Sequence, residues 1–200
     1  MKTLDQLNGH WMGLRLTAVE AKLFIPTAVA AVFASLLFAP APIGVLGAVL
    51  GIVAVAIATV DYYRFIIPDT LNVAGFGGGL VHAAIQHPDA MWWAVGGAVV
   101  RGAALAFLFL SIRQFYILIR GRQGLGLGDV KLAGVAGAWL EWLAIPIAIE
   151  IAALVALSAY VFRQYWTGDS FSATHRLPFG FFFAPAIWIC WVLQAVWMSS

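Results

Sequence analysis

The sequence is poor in charge. Only 10% of its 200 residues are Asp, Glu, Lys or Arg, against roughly 25% in a soluble domain. So few polar side chains cannot cover a water-facing surface, which excludes an ordinary soluble globule. Cysteine is nearly absent. The single Cys190 excludes an internal disulfide and a multi-cysteine metal site. There is no basic cluster, so nucleic acid is not an expected partner. The net charge of +2 says little, because where the charges lie matters more than their sum.

What the chain has is apolar length. Hydrophobic residues make up 63% of it, and the mean hydropathy is +0.94. These values predict an all-α polytopic membrane bundle of about six to seven transmembrane helices, since isolated strands leave their backbone unsatisfied in lipid. The lipid bilayer is then the partner of most of the surface. Leu23 to Val60 carries no charge and is too long for one span of ~20 residues. Two prolines and a glycine in "APAPIG", 39–44, divide it into spans near 23–39 and 43–60. "APA" also looks like a leader cleavage site, but the polar, partly acidic stretch before it favours a retained span. Further spans are expected near 71–86, Met91–Ile112, Val130–Leu143, from Pro146 to about Phe162, and 179–198. Residues 1–22 read as a cytoplasmic or interfacial segment, with Trp11 at headgroup level, and 23–200 as the transmembrane domain.

Basic residues orient the spans. With the N-terminus in the cytoplasm, Lys2, Arg15, Lys22, Arg64, Arg113, Arg120, Arg122, Lys131, Arg163 and Arg176 fall on or near the cytoplasmic side, with Arg101 inside a span. Asp89 and Glu141 fall on the far side, as the positive-inside rule requires. "VDYYRF" and "GLGLGD" then share the cytoplasmic face.

Asp61 ends one charge-free run and Asp129 opens another. Carboxylates at a lipid boundary are costly and tend to be functional. Two brought together share one proton, so that one activates water while the other polarises a carbonyl. Gly126 and Gly128 allow a tight turn and a close approach of substrate backbone. A helix N-terminus favours charge on Asp129 and a helix C-terminus favours the proton on Asp61, so Asp129 is the expected ionised partner. From two acids alone, a mere helix cap at Asp129 and a loop acid at Asp61 explain the residues equally well.

The neighbouring residues change that balance. "GLGDVKL", 126–132, resembles the GxGDxKL signature of the type IV prepilin peptidases, the GxGD aspartic proteases of pilin export. "DYYRFIIPDTLN", 61–72, is similar to their first-aspartate pattern, with Asp61, Pro68 and Asp69 in register. "GAWLEWLAIP", 137–146, and "LPFGFFFAPA", 177–186, resemble two later family motifs. The resemblance implies a multi-pass inner-membrane endopeptidase that removes the short basic leader of prepilins or pseudopilins at the cytoplasmic face. Prepilin is the implied partner, Asp61 and Asp129 the catalytic pair, and Gly126 and Gly128 the loop glycines. No metal or other cofactor is implied. The paired-cysteine region of the large members, which also methylate the new N-terminus, has no counterpart here. The size is more similar to the compact peptidases of Tad/Flp-type pili or to archaeal preflagellin peptidases. Glu141 and Phe181 stand where the family often has glycine and proline.

Lys131 is read as a backbone-binding or charge-tuning neighbour of Asp129, or as a membrane anchor. Asp69 is expected to cap the third span. Arg101 is expected to pair within the bundle with an acid such as Glu150, and His82 to be a satisfied interior residue. Two other functions compete. A presenilin-like protease would carry YD and PAL motifs, yet Val60 precedes Asp61 and no PAL occurs. A transporter would place its acids near mid-membrane rather than at span ends.

Overall fold

The computed structural model describes residues 18–167 and 178–199. The expected interfacial segment as far as residue 17, including Lys2, Trp11 and Arg15, lies outside the described residues, as do His175, Arg176 and Leu177.

Among the described residues the chain forms seven α-helices and no strand: α1 (Ala18–Phe38), α2 (Ile43–Arg64), α3 (Asp69–Gln86), α4 (Met91–Arg120), α5 (Leu127–Trp139), α6 (Ala144–Thr167) and α7 (Phe179–Ser199). By length and composition, α2, α4, α6 and α7 can each cross a membrane. Their outer faces carry large apolar side chains, with Phe107 71% and Leu118 82% exposed. That is the surface a lipid solvent allows.

The fifth element departs from the expected span at Val130–Leu143. It has 13 residues, or ~20 Å of helix, short of the ~30 Å hydrocarbon core. Its residues from Leu132 to Trp139 are all buried. A helix that is apolar all round belongs inside a bundle, and "LAGVAGA" fits it there because small residues let backbones approach. At Gly137 an added Cβ would lie 2.5 Å from the Arg101 carbonyl oxygen and 2.6 Å from the Gly102 nitrogen. Thus α4 and α5 touch backbone to backbone. Pro146 stands near the start of the sixth helix, as expected, in the first turn of α6, where a missing N–H costs nothing. The chain breaks earlier, at Leu140, which is extended (φ −104°, ψ 145°).

Tryptophans serve the interior as well as the interface. Trp139 and Trp191 are fully buried. Trp139 Nε1 donates to the Gly75 carbonyl at 2.7 Å, locking α5 to α3. Trp191 Nε1 donates to His82 Nε2 at 3.1 Å, so His82 is a satisfied bundle residue, as expected. Trp188 Nε1 donates to Ser35 Oγ at 2.9 Å, tying α7 to α1.

This order of helices brings the C-termini of α2 and α4 and the N-termini of α3, α5 and α7 to one end of the bundle. Asp61, Asp69, Arg113, Asp129 and Lys131 lie at that end, and Asp89 and Glu141 at the other. Arg101 pairs with Glu141 at 3.2 Å, not with Glu150, and also donates from Nε to the Gly137 carbonyl at 3.2 Å. Glu141, for which the sequence offered no role, is the counter-ion of Arg101.

Candidate active site

Asp61 lies in the last turn of α2 and is 5% exposed. The helix stops four residues on, where Phe65 adopts a left-handed conformation (φ 54°) and donates its N–H to the Asp61 carbonyl at 2.9 Å. A non-glycine residue there costs about 1–2 kcal/mol, and the sharp reversal turns residues 66–68 back over the helix end. The Asp61 side chain reaches the start of α7, where Oδ2 accepts the Phe181 N–H at 3.0 Å and the Gly180 amide also bonds the carboxyl group. The first amides of a helix are unsatisfied and carry its positive dipole end, so they hold an anion. Gly180 makes this approach possible: a Cβ there would lie 2.9 Å from Asp61 Oδ2.

Asp129 lies in the first turn of α5, ahead of its buried apolar run. Its Oδ2 accepts the Gly126 N–H at 3.1 Å. Burial pushes its pKa up to about 6; the Gly126 amide pulls the other way and the charge on Asp61 adds to the rise. Because the Asp61 charge is among the causes, the two carboxyls are electrostatically coupled. At Asp129 burial outweighs the helix dipole, which alone would favour the charged form.

Ile67, buried in the α2–α3 turn, packs between the two halves of the site. A Cβ on Gly128 would meet its Cβ at 3.0 Å, and a Cβ on Gly180 its Cδ1 at 2.6 Å. The glycines therefore act through space more than through backbone freedom. Gly126 has an ordinary extended φ of −74°. Pro68 precedes α3 with φ −62° and ψ 134° and fixes where the turn ends.

Asp69 does not cap α3; it forms an ion pair with Lys131 across the α3–α5 contact. Lys131 is thereby turned to Asp69, and both side chains are well exposed. Such a pair adds at most about 1 kcal/mol.

Three contributors were not legible in the sequence: Ile67, the Phe181 amide and Arg113. Arg113 read only as one of many cytoplasmic-side cations. It is buried and donates from Nε to the Leu125 carbonyl at 3.2 Å, anchoring the loop that delivers Asp129. The "PFG" motif hinted at the α7 amides, but backbone donors carry no residue code.

Fold and site together define a helical membrane protein with an electrostatically coupled pair of aspartates at one end of its bundle. The chain belongs to the type IV leader peptidase family, whose model matches residues 48–161. It is 32% identical over 138 residues to the prepilin leader peptidase/N-methyltransferase of Aeromonas hydrophila, covering 68% of this chain and 45% of that protein. It is 35% identical over 132 residues to the protein of the same name from Dickeya chrysanthemi, again with 45% of that protein covered. It is 31% identical over 126 residues to the leader peptidase HopD of Escherichia coli, covering 63% of this chain and 78% of HopD. The chain thus spans less than half the length of the two larger relatives. No solved structure matches it.

Proposed function

We propose that this protein is an aspartic endopeptidase of the inner membrane that removes the basic leader of type IV prepilins or pseudopilins at the cytoplasmic face. The observation that carries this reading is the convergence of Asp61 and Asp129 at one bundle end, where one carboxyl influences the other, within a chain of this family. Asp61, held by the α7 amides, is the ionised base that takes a proton from water. Asp129 keeps its proton and donates it toward the scissile carbonyl, which gains negative charge as water adds. Peptide cleavage then proceeds through a tetrahedral intermediate, the shared proton passing to the leaving amine. Gly126, Gly128 and Pro68 shape the loop against which the substrate backbone lies, and the Asp69–Lys131 pair borders it. The cytoplasmic placement follows from the basic residues at the Asp61 end.

The test is co-expression with a candidate prepilin, with leader removal followed on a gel. Asp61→Asn and Asp129→Asn are each expected to abolish processing, because an amide cannot exchange the shared proton. Normal processing by either variant would remove the pair from the mechanism. The pH dependence follows from Asp129. Its carboxyl holds its proton below about 6 and loses it above, so the one-proton form of the pair is depleted on the alkaline side. The kcat/KM profile in detergent is expected to show its alkaline limb near that value. A limb near pH 4, where free aspartate titrates, would contradict the shared proton.

A further inference from the structure

One buried polar side chain close to the site has no task in this scheme. Asn72 is 5% exposed, and neither its Nδ2 nor its Oδ1 meets a hydrogen-bond partner among the described residues. Its own backbone N–H is satisfied by the Pro68 carbonyl at 3.2 Å, so the orphan is the side chain alone. An unsatisfied buried amide is costly, and folded proteins contain few. An apolar residue of similar size would fit a helix interior at no such cost.

The helix geometry places Asn72 relative to the aspartates. Asn72, Gly75 and Gly79 form one buried stripe on α3. At Gly75 an added Cβ would meet Val135 Cγ1 of α5 at 3.0 Å and Val53 Cγ1 of α2 at 3.6 Å, and Trp139 locks that register. The stripe therefore faces both helices that carry the aspartates. Asn72 is one turn from Gly75 toward the site. Counting from Val53 along α2 and from Val135 along α5 puts Asp61 and Asp129 about one further turn on. Side chains lean toward the N-terminus of their own helix. Asn72 therefore leans from α3 toward the aspartates, and Asp61 leans from α2 down toward Asn72.

We propose that Asn72 is a positioning residue whose amide hydrogen-bonds the Asp61–Asp129 pair when the two carboxyls close around substrate. An amide suits that place, since it offers donors to the ionised member and an acceptor to the protonated one. The unpaired state in the resting fold is then the cost of a donor kept ready. This inference rests on the peptidase reading above.

The test compares Asn72→Leu, Asn72→Thr and wild type in purified form, measuring thermal unfolding in detergent and the steady-state kinetics of prepilin cleavage. Asn72→Leu is expected to melt at or above the wild-type temperature, because it removes an orphan polar group. It is expected to lose about tenfold to a hundredfold in kcat, the worth of a hydrogen bond to a charged group, with KM within twofold. Asn72→Thr, which keeps one hydroxyl, is expected to recover part of kcat. Wild-type kcat in Asn72→Leu would overturn the proposal, as would a loss confined to KM. If Asn72→Leu fails to fold, full kcat in a folded Asn72→Thr or Asn72→Ala would overturn it equally. Failure of the wild-type protein to cleave any prepilin would count against the peptidase reading instead, so the two failures are distinguishable.

Discussion

Gly180→Ala is expected to abolish leader removal while leaving the bundle folded. The added methyl carbon would lie 2.9 Å from Asp61 Oδ2 and 2.6 Å from Ile67 Cδ1. Real carbon contacts do not close to these distances, so something must move. The Ile67 methyl is the end of a side chain and can rotate away. The carboxylate cannot retreat without leaving the Phe181 amide that it accepts at 3.0 Å. Asp61 therefore leaves the helix end that supports its charge, and the base is displaced by a substantial part of an ångström. A displacement of that size costs on the order of a hundredfold in rate. Little else changes, because Gly180 sits at the start of α7 and its neighbours along that helix keep their packing. A gel assay beside a thermal melt checks both halves. Wild-type processing by Gly180→Ala would show that Asp61 does not need the α7 amides.

Gly137→Ala is expected to do the reverse, unfolding the bundle rather than disarming it. Here the obstructing atoms are backbone: the Arg101 oxygen at 2.5 Å and the Gly102 nitrogen at 2.6 Å. No rotamer change relieves such contacts, so α4 and α5 must separate. That opens the helix pair around which the rest of the bundle packs, and it strains the Arg101 bond to the Gly137 carbonyl. Overpacking of this kind costs about 1–3 kcal/mol or more, a large fraction of the ~5–15 kcal/mol that holds a typical domain together. The control is Gly77→Ala on α3, where an added Cβ meets nothing within 4 Å. Alanine there removes the entropic penalty of a helical glycine, about 0.5–1 kcal/mol, and is expected to raise the melting temperature slightly. Melting curves in one detergent decide the matter. Equal melting of the two variants would mean that the α4–α5 contact is looser than the backbone distances indicate.

The sequence by itself determined the class of fold and singled out two acids as candidates. A charge-poor, apolar chain has to bury its backbone hydrogen bonds in helices if lipid is its solvent, so a helical membrane bundle with ends near the observed ones followed from composition and punctuation. Asp61 and Asp129 stood out because acids are rare and expensive at the edge of apolar runs. The ordered motifs around them pointed to the family that the comparison later matched. Tertiary structure alone decided which helix would be enclosed, since periodicity cannot tell a spanning helix from α5, a short one wrapped by its neighbours. It also decided the partners of the charges. Arg101 chose Glu141 over Glu150, and Asp69 took Lys131 rather than capping α3, because pairing depends on how helices lie beside one another. The burial of the two acids was decided in the same way. A helix dipole can be read from the position of a residue in its own helix, but the burial that outweighs it at Asp129 comes from residues distant in the chain. The amides of Gly180 and Phe181 were invisible in advance because every residue but proline carries one, and only the packing of α7 against α2 aims those two at Asp61.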